Sequence, residues 1–237
     1  SLFGQFGDSA RILDAGAGIG SLIAAFAAEA CGRGTRPTTI EATAYEIDPL
    51  LVSHLRRTAR ECRDECARFD VSFVANVVEG NFIEAAADQI DAGLFGPRRR
   101  PTFTHAILNP PYKKLNSDSC ARMELRRVGI ETSNLYTAFL GLAILMLEPG
   151  GELVAITPRS FCNGPYFRPF RELFLREMAL RRVHVFDSRS AAFSDDEVLQ
   201  ENVIFHAVKA GSPCKVIVSS SSGPEDELLS VRSMPEC

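Results

Sequence analysis

Two short segments hold residues whose types and spacing can do chemistry. The first is Asn109-Pro110-Pro111-Tyr112. A nitrogen lone pair delocalised into an aromatic ring or a carbonyl attacks a methyl group poorly unless the nitrogen is drawn toward tetrahedral geometry. Two acceptors aimed at its two N–H groups do this: the side-chain oxygen of Asn109 and the backbone carbonyl of Pro110. Consecutive prolines fix φ near −65° and carry no N–H, so the carbonyls are held outward at little further entropic cost. Tyr112 offers a flat face to a planar substrate. Asn and Pro both favour turns as well, so the tetrapeptide gains meaning from what stands upstream.

That upstream segment is Asp14-Ala15-Gly16-Ala17-Gly18-Ile19-Gly20. Closely spaced glycines let a backbone turn sharply and approach a ligand where a β-carbon would clash. The dinucleotide fingerprint is GxGxxG, whereas the spacing here is GxGxG. Asp14 also stands just ahead of the first glycine, where a negative charge suits an ammonium group and repels a pyrophosphate. S-adenosylmethionine (SAM) carries an ammonium and a sulfonium, whereas NAD carries two phosphates. The next strand closes with Tyr45-Glu46-Ile47-Asp48, which places the Glu46 carboxylate where it can accept both hydroxyls of a ribose. Asp48, before Pro49, reads instead as the cap of the following helix.

The elements that position these segments alternate along the chain. Strands are expected over 11–14, 38–47, 71–78, 102–108, 152–157, 182–186 and 202–208. Helices are expected over 21–30, 49–69, 82–92, 133–147 and 165–178, the second with proline in its first turn. This is the pattern of parallel βαβ units, an α/β fold with helices on both faces of one sheet. The glycine turn and the Asn-Pro-Pro-Tyr loop then both leave strands at the carboxyl edge, facing one crevice. Residues 187–201 form a polar loop without a helical pattern, and a reversal there makes the last strand antiparallel. The loop at 93–101, with Arg98, Arg99 and Arg100 between prolines, reads as a solvated charge run. The serine run 219–222 reads as a linker.

Composition bounds the function classes. A chain of 237 residues with 46% hydrophobic and 24% charged residues is ordinary globular material, neither disordered nor coiled coil. A net charge of −4 excludes a nucleic-acid module recognisable by basicity alone, so any such contact uses a local patch. The longest apolar run, 135–147, is too short to cross a bilayer and reads as a buried helix. Seven scattered cysteines and no signal pattern point to a reduced, cytoplasmic setting. Cys62 and Cys66 sit one helical turn apart but lack the partners of a tetrahedral metal site, and none is assigned. His105 reads as a packed strand residue.

Together these residues resemble the amino-methylating SAM-dependent methyltransferases, and most closely the adenine-N6 DNA methyltransferases of restriction-modification and phage-exclusion systems. The resemblance runs over nearly the whole chain. It implies a Rossmann-like class I methyltransferase fold with a seven-stranded, mostly parallel sheet whose last strand is antiparallel. It implies SAM at Asp14, Gly16, Gly18, Gly20, Glu46 and Ile47, with Asn81 and Phe82 of Glu79-Gly80-Asn81-Phe82 against the cofactor's adenine. The family usually has Asp where Asn81 stands. The catalytic motif falls on Asn109, Pro110, Pro111 and Tyr112, with a target adenine flipped out of double-stranded DNA into that pocket. Phe193 would sandwich the base together with Tyr112, and Lys113 would meet a phosphate.

The expected division is a catalytic domain over 1–210 followed by a linker, or the start of a target-recognition region, over 211–237. A chain that opens on Ser1 and ends at Cys237 is expected to be a catalytic-domain fragment of a larger enzyme, with a nuclease or specificity partner as a further expectation. Three alternatives stay open at this point: methylation of a glutamine amide in protein, methylation of an RNA adenine, and a non-catalytic SAM-binding subunit.

Overall fold

A computed structural model describes residues 2–91, 102–186, 202–212, 214–221 and 230–234. The strands among them are β1 (Ser9–Ala15), β2 (Thr39–Glu46), β3 (Ser72–Glu79), β4 (Phe103–Leu108), β5 (Leu147–Pro158), β6 (Met178–Phe186), β7 (Asn202–Lys209), β8 (Val216–Ser221) and β9 (Ser230–Met234). The helices are α1 (Ser21–Gly32), α2 (Pro49–Ala67), α3 (Phe82–Ile90), α4 (Cys120–Arg127), α5 (Leu135–Met146) and α6 (Arg168–Glu177). All strands join one sheet in the order β3-β2-β1-β4-β5-β7-β6-β8-β9. From β3 to β5 every pairing is parallel, and β7 runs antiparallel to both β5 and β6, as the sequence leads one to expect.

Alternation along the strands sorts the core into two layers. Ala10 and Ile12 of β1 and Ile40, Ala42 and Ala44 of β2 face α1 and α2. Leu13, Ala15, Tyr45, Leu153, Ala155 and Phe205 face the other way, onto α3, α5 and α6. Helix α5 is apolar nearly all round and is buried along almost its whole length, as its composition requires. Its C-terminal carbonyls are satisfied from β7: Lys209 Nζ donates to the carbonyls of Ile144 and Leu147, each at 2.7 Å. An ammonium there suits both the unpaired carbonyls and the negative end of the helix dipole.

The strand count is nine among the described residues, not seven. Ser219, Ser220 and Ser221, in the run expected to be a linker, belong to β8, which pairs parallel with β6, and β9 pairs antiparallel with β8. Side-chain chemistry replaces hydrophobic patterning here: the two ring nitrogens of His184 bond the hydroxyls of Ser219 and Ser221, at 2.9 and 3.0 Å. Helix α4 has no counterpart among the expected helices. It is eight residues long, buries only Leu125, and is tied down by Arg126 to Glu131 and by Arg127 to Asp88. His105 is buried among Phe3, Phe6 and Phe26, and burial pushes its imidazole down to about 4, consistent with a neutral packed ring. No helix of the described residues is long and apolar enough to cross a membrane.

Candidate functional site

The chain turns out of β1 at Gly16, Gly18 and Gly20, all with positive φ, of +74°, +57° and +90°. These are left-handed conformations that side chains other than glycine's resist. At Gly20 a second constraint adds to this, because a β-carbon would come within 2.8 Å of Leu55 on α2. That close approach lets Thr58 Oγ1 donate to the Ile19 carbonyl at 2.7 Å, so α2 braces the turn. The turn is also fastened to β2, since the amides of Gly16 and Ala17 both donate to the Tyr45 carbonyl at 2.9 Å.

Glu46 ends β2 beside this turn. Its Oε2 accepts from the Gly18 amide at 2.8 Å, and its Oε1 accepts from the amides of Ile47 and Asp48 at 2.8 and 2.9 Å. The carboxylate is thus oriented by three backbone donors and still has acceptor capacity left on Oε2. Asp48 caps α2 through the Leu50 amide, as expected. Ile47, by contrast, is 67% exposed next to the turn, an apolar side chain with nothing to cover it. On the sequence expectation that Glu46 holds the SAM ribose, its replacement by glutamine should raise the Kd for SAM by about tenfold or more, read by calorimetry, because one acceptor oxygen becomes an amide N–H donor. Unchanged affinity would move the ribose contact elsewhere.

Asp14 has the most unusual environment of the sequence-selected residues. It is fully buried, and neither carboxylate oxygen has a hydrogen-bond partner. Burial, with the nearby Glu46 charge adding to it, pushes its carboxyl up to about 8. Buried polar atoms are nearly always paired, so a carboxyl left this way at a glycine turn has free capacity to pair with a cationic group.

The Asn-Pro-Pro-Tyr loop leaves β4, the strand next to β1. A β-carbon on Gly16 would lie 3.9 Å from Pro111 and 3.5 Å from Phe139, which brings the two motifs together. Asn109 and Pro111 are exposed and Pro110 is buried beneath them. Tyr112 Oη donates to Asn109 Oδ1 at 3.1 Å and lies 3.4 Å from the Ile156 carbonyl, so the phenol orients the carboxamide. Beyond the motif, Lys113 and Lys114 are exposed. Their backbone is pinned to the start of α5: Leu135 N donates to Lys113 O and Leu115 N to Ser133 O, each at 2.8 Å.

Two expected cofactor residues have other occupations. Asn81 caps α3, its Oδ1 accepting from the Ile83 amide at 3.0 Å while its Nδ2 donates to Glu84. Phe82 is 2% exposed and packs at steep angles between Tyr45 and Phe139, with ring centroids 5.1 Å from each, so its ring is core packing and presents little face to a ligand. Phe193 and the arginines at 98–100 lie outside the described residues.

Sequence reasoning missed Thr58, Tyr136 and Phe139. Tyr136 stands 6.2 Å from Tyr112, edge to face, and donates to or accepts from Ser160 at 3.0 Å. Burial pushes its phenol up to about 12, so it braces the site as a neutral hydroxyl. For Tyr136 and Phe139 the signal available was an aromatic pair at i and i+3 on the apolar helix α5.

Comparison with known proteins bears on the family and the fold. Among curated proteins, the chain is 45% identical over 222 residues to the type II methyltransferase M.PstI of Providencia stuartii, covering 94% of this chain and 43% of that protein. It is 42% identical over 227 residues to the type II methyltransferase M.BsuBI of Bacillus subtilis, covering 95% and 44%. The chain therefore spans less than half the length of these relatives. Among solved structures, it superposes on a Listeria monocytogenes chain described as a class I SAM-dependent methyltransferase with TM-score 0.65, at 15% identity, over 94% of this chain and 61% of that one. It superposes on the type IIG restriction endonuclease BpuSI with TM-score 0.64, at 18% identity, over 92% and 24%. The fold is that of the class I SAM-dependent methyltransferases. Residues 58–193 match the model of the Eco57I restriction-modification methylase family, and with the identity to its relatives this establishes that the chain belongs to that family.

Proposed function

We propose that the protein transfers a methyl group from SAM to the exocyclic N6 of an adenine flipped out of double-stranded DNA, as the modification activity of a restriction-modification or phage-defence system. The observation that carries this reading is the proximity of the glycine turn to the Asn-Pro-Pro-Tyr loop, close enough that a β-carbon on Gly16 would touch Pro111. The same edge then holds a cofactor cradle and two oxygens suited to a planar amine.

The residues fit the cofactor. Asp14 is a buried carboxylate without a partner, and the space where a Gly18 β-carbon would sit is open. Asp14 would face the ammonium group, Glu46 Oε2 would accept from the ribose, and Ile47 would cover the adenine. The second lone pair of Asn81 Oδ1 would be left for the adenine amine. When bound, SAM supplies an electrophilic methyl on a cationic sulfur. The chain's own work is on the acceptor: Asn109 Oδ1 and the Pro110 carbonyl draw the two N–H groups out of the ring plane, and Tyr112 holds the carboxamide. Proline rigidity keeps these oxygens in place without reorganisation during the reaction. The surplus proton leaves to water, so no general base is required. Lys113 would meet a backbone phosphate, and a nuclease or specificity subunit is the partner that fits such a system.

The test is transfer of radiolabelled methyl by the full-length protein onto unmethylated DNA, followed by digestion to nucleosides. N6-methyladenine is the expected product. Label on cytosine overturns the base assignment. Label on RNA or on a glutamine-containing protein, with none on DNA, overturns the substrate.

A further inference from the structure

After β5 the chain does not enter α6 directly. It passes through a 3-10 turn at Arg159–Cys162, a bend at Asn163 and Gly164, and a second 3-10 turn at Pro165–Phe167. This segment leaves the same carboxyl edge as the Asn-Pro-Pro-Tyr loop, one strand over.

It is built as a rigid knuckle. Arg171 of α6 reaches back and donates through Nη1 to the carbonyls of Phe161 and Gly164, at 2.9 and 2.6 Å. The Gly164 amide closes onto the Ser160 carbonyl at 3.0 Å, and a β-carbon there would meet that carbonyl at 2.8 Å. Phe161 and Phe167 anchor the two ends, each 9% exposed. Phe167 packs 5.5 Å from Tyr136, which packs against Tyr112, so the knuckle is coupled to the catalytic loop through two aromatic contacts. One aromatic side chain is left out of this packing. Tyr166, between the buried Phe167 and the ring of Pro165, is 80% exposed. Arg159 and Arg168 flank it in sequence and are exposed, as are Lys113 and Lys114 on the neighbouring loop.

Single exposed apolar residues are commonplace and need no explanation. An exposed tyrosine at the tip of a loop held by a half-buried guanidinium staple, coupled by packing to the Asn-Pro-Pro-Tyr loop and flanked in sequence by Arg159 and Arg168, is a different arrangement. Extruding a nucleotide opens a gap in the base stack and exposes the π-faces of its neighbours. A tyrosine with only two side-chain torsions fills such a gap with little loss of rotamer freedom, and base stacking on an aromatic ring does not depend on sequence.

Resting on the DNA reading above, we propose that the 159–167 knuckle is a DNA contact and that Tyr166 stacks on a base exposed by extrusion of the target nucleotide. Tyr166→Ala, made in the full-length protein, should raise KM for unmethylated bacteriophage lambda DNA by about tenfold or more, with KM for SAM and the melting temperature unchanged. Tyr166→Trp should retain most of the DNA affinity, because it keeps the stacking face. Wild-type transfer to DNA with an unaltered KM in Tyr166→Ala overturns the knuckle alone. Failure of the wild type to methylate DNA overturns the DNA reading and the knuckle with it.

Discussion

Replacing Asn109 by alanine should lower kcat for methyl transfer to DNA by about 100- to 1000-fold or more while leaving SAM affinity within about twofold. The expectation follows from which partner the side chain serves. Asn109 is exposed at the end of β4, and its Oδ1 is held by the Tyr112 hydroxyl at 3.1 Å. A carboxamide oxygen has two lone pairs, so one stays available to an incoming N–H. None of the contacts that shape the cofactor cradle runs through Asn109: those belong to Gly18, Glu46, Tyr45 and Thr58. On the proposed function, removal costs the step in which the amine loses conjugation, and not the binding of the methyl donor. Asn109→Asp retains an acceptor at the same place and should recover part of the lost rate. Tyr112→Phe removes the phenol that orients the oxygen and should give a smaller fall in kcat. A loss of SAM affinity in Asn109→Ala as large as the loss of rate, measured by calorimetry and single-turnover transfer, would place Asn109 in the cofactor site instead.

How much of this was legible in the sequence depends on the kind of constraint involved. The glycine turn, Glu46 and Asn-Pro-Pro-Tyr could be read because each is local: a positive φ demands glycine, a strand-end acid lies beside the turn, and prolines fix their own carbonyls. The antiparallel β7 could be read because the sequence of residues 187–201 carries no helical pattern for a crossover. Roles that depend on tertiary neighbours were not legible. The Asn81 side chain serves as a helix cap, and Phe82 fills a gap between Tyr45 and Phe139 that exists only once α3 and α5 pack. β8 lacks an apolar alternation because His184 and two serine hydroxyls supply its cross-strand pairs, so a hydrophobic-pattern reading takes it for a linker. Helix α4 buries a single residue and so leaves no periodic stripe. The knuckle at Tyr166 depends on Arg171, Gly164 and Tyr136, brought together from three separate elements.

Asp14→Asn should stabilise the unliganded protein at neutral and alkaline pH and, at the same time, impair SAM binding. In the folded protein the carboxyl titrates at about 8, against an ordinary value of 3.8, because it is buried and faces the Glu46 charge. Below pH 4 both folded and unfolded chains hold this proton, and the group contributes no pH dependence. Between about pH 4 and 8 only the folded chain holds it, so stability falls as pH rises. Above pH 8 the whole penalty is present, on the order of 5 kcal/mol. Asparagine has no proton to lose, so urea denaturation of the variant from pH 5 to 9 should lack this decline. Binding runs in the opposite direction. A cationic group beside Asp14 favours the carboxylate, so SAM binding at pH 7 should expel close to one proton, measurable by calorimetry in buffers of different ionisation enthalpy. An α-amino group itself titrates near 8. Wild-type affinity should therefore peak around pH 8, falling toward acid as Asp14 protonates and toward alkali as the ammonium is lost. In Asp14→Asn the acid limb disappears and the affinity at the maximum is lower. A wild type whose affinity is flat from pH 6 to 8 would show that this carboxylate is not the seat of the cationic group, and a variant whose stability declines with pH as the parent's does would show that it is not strained by its burial.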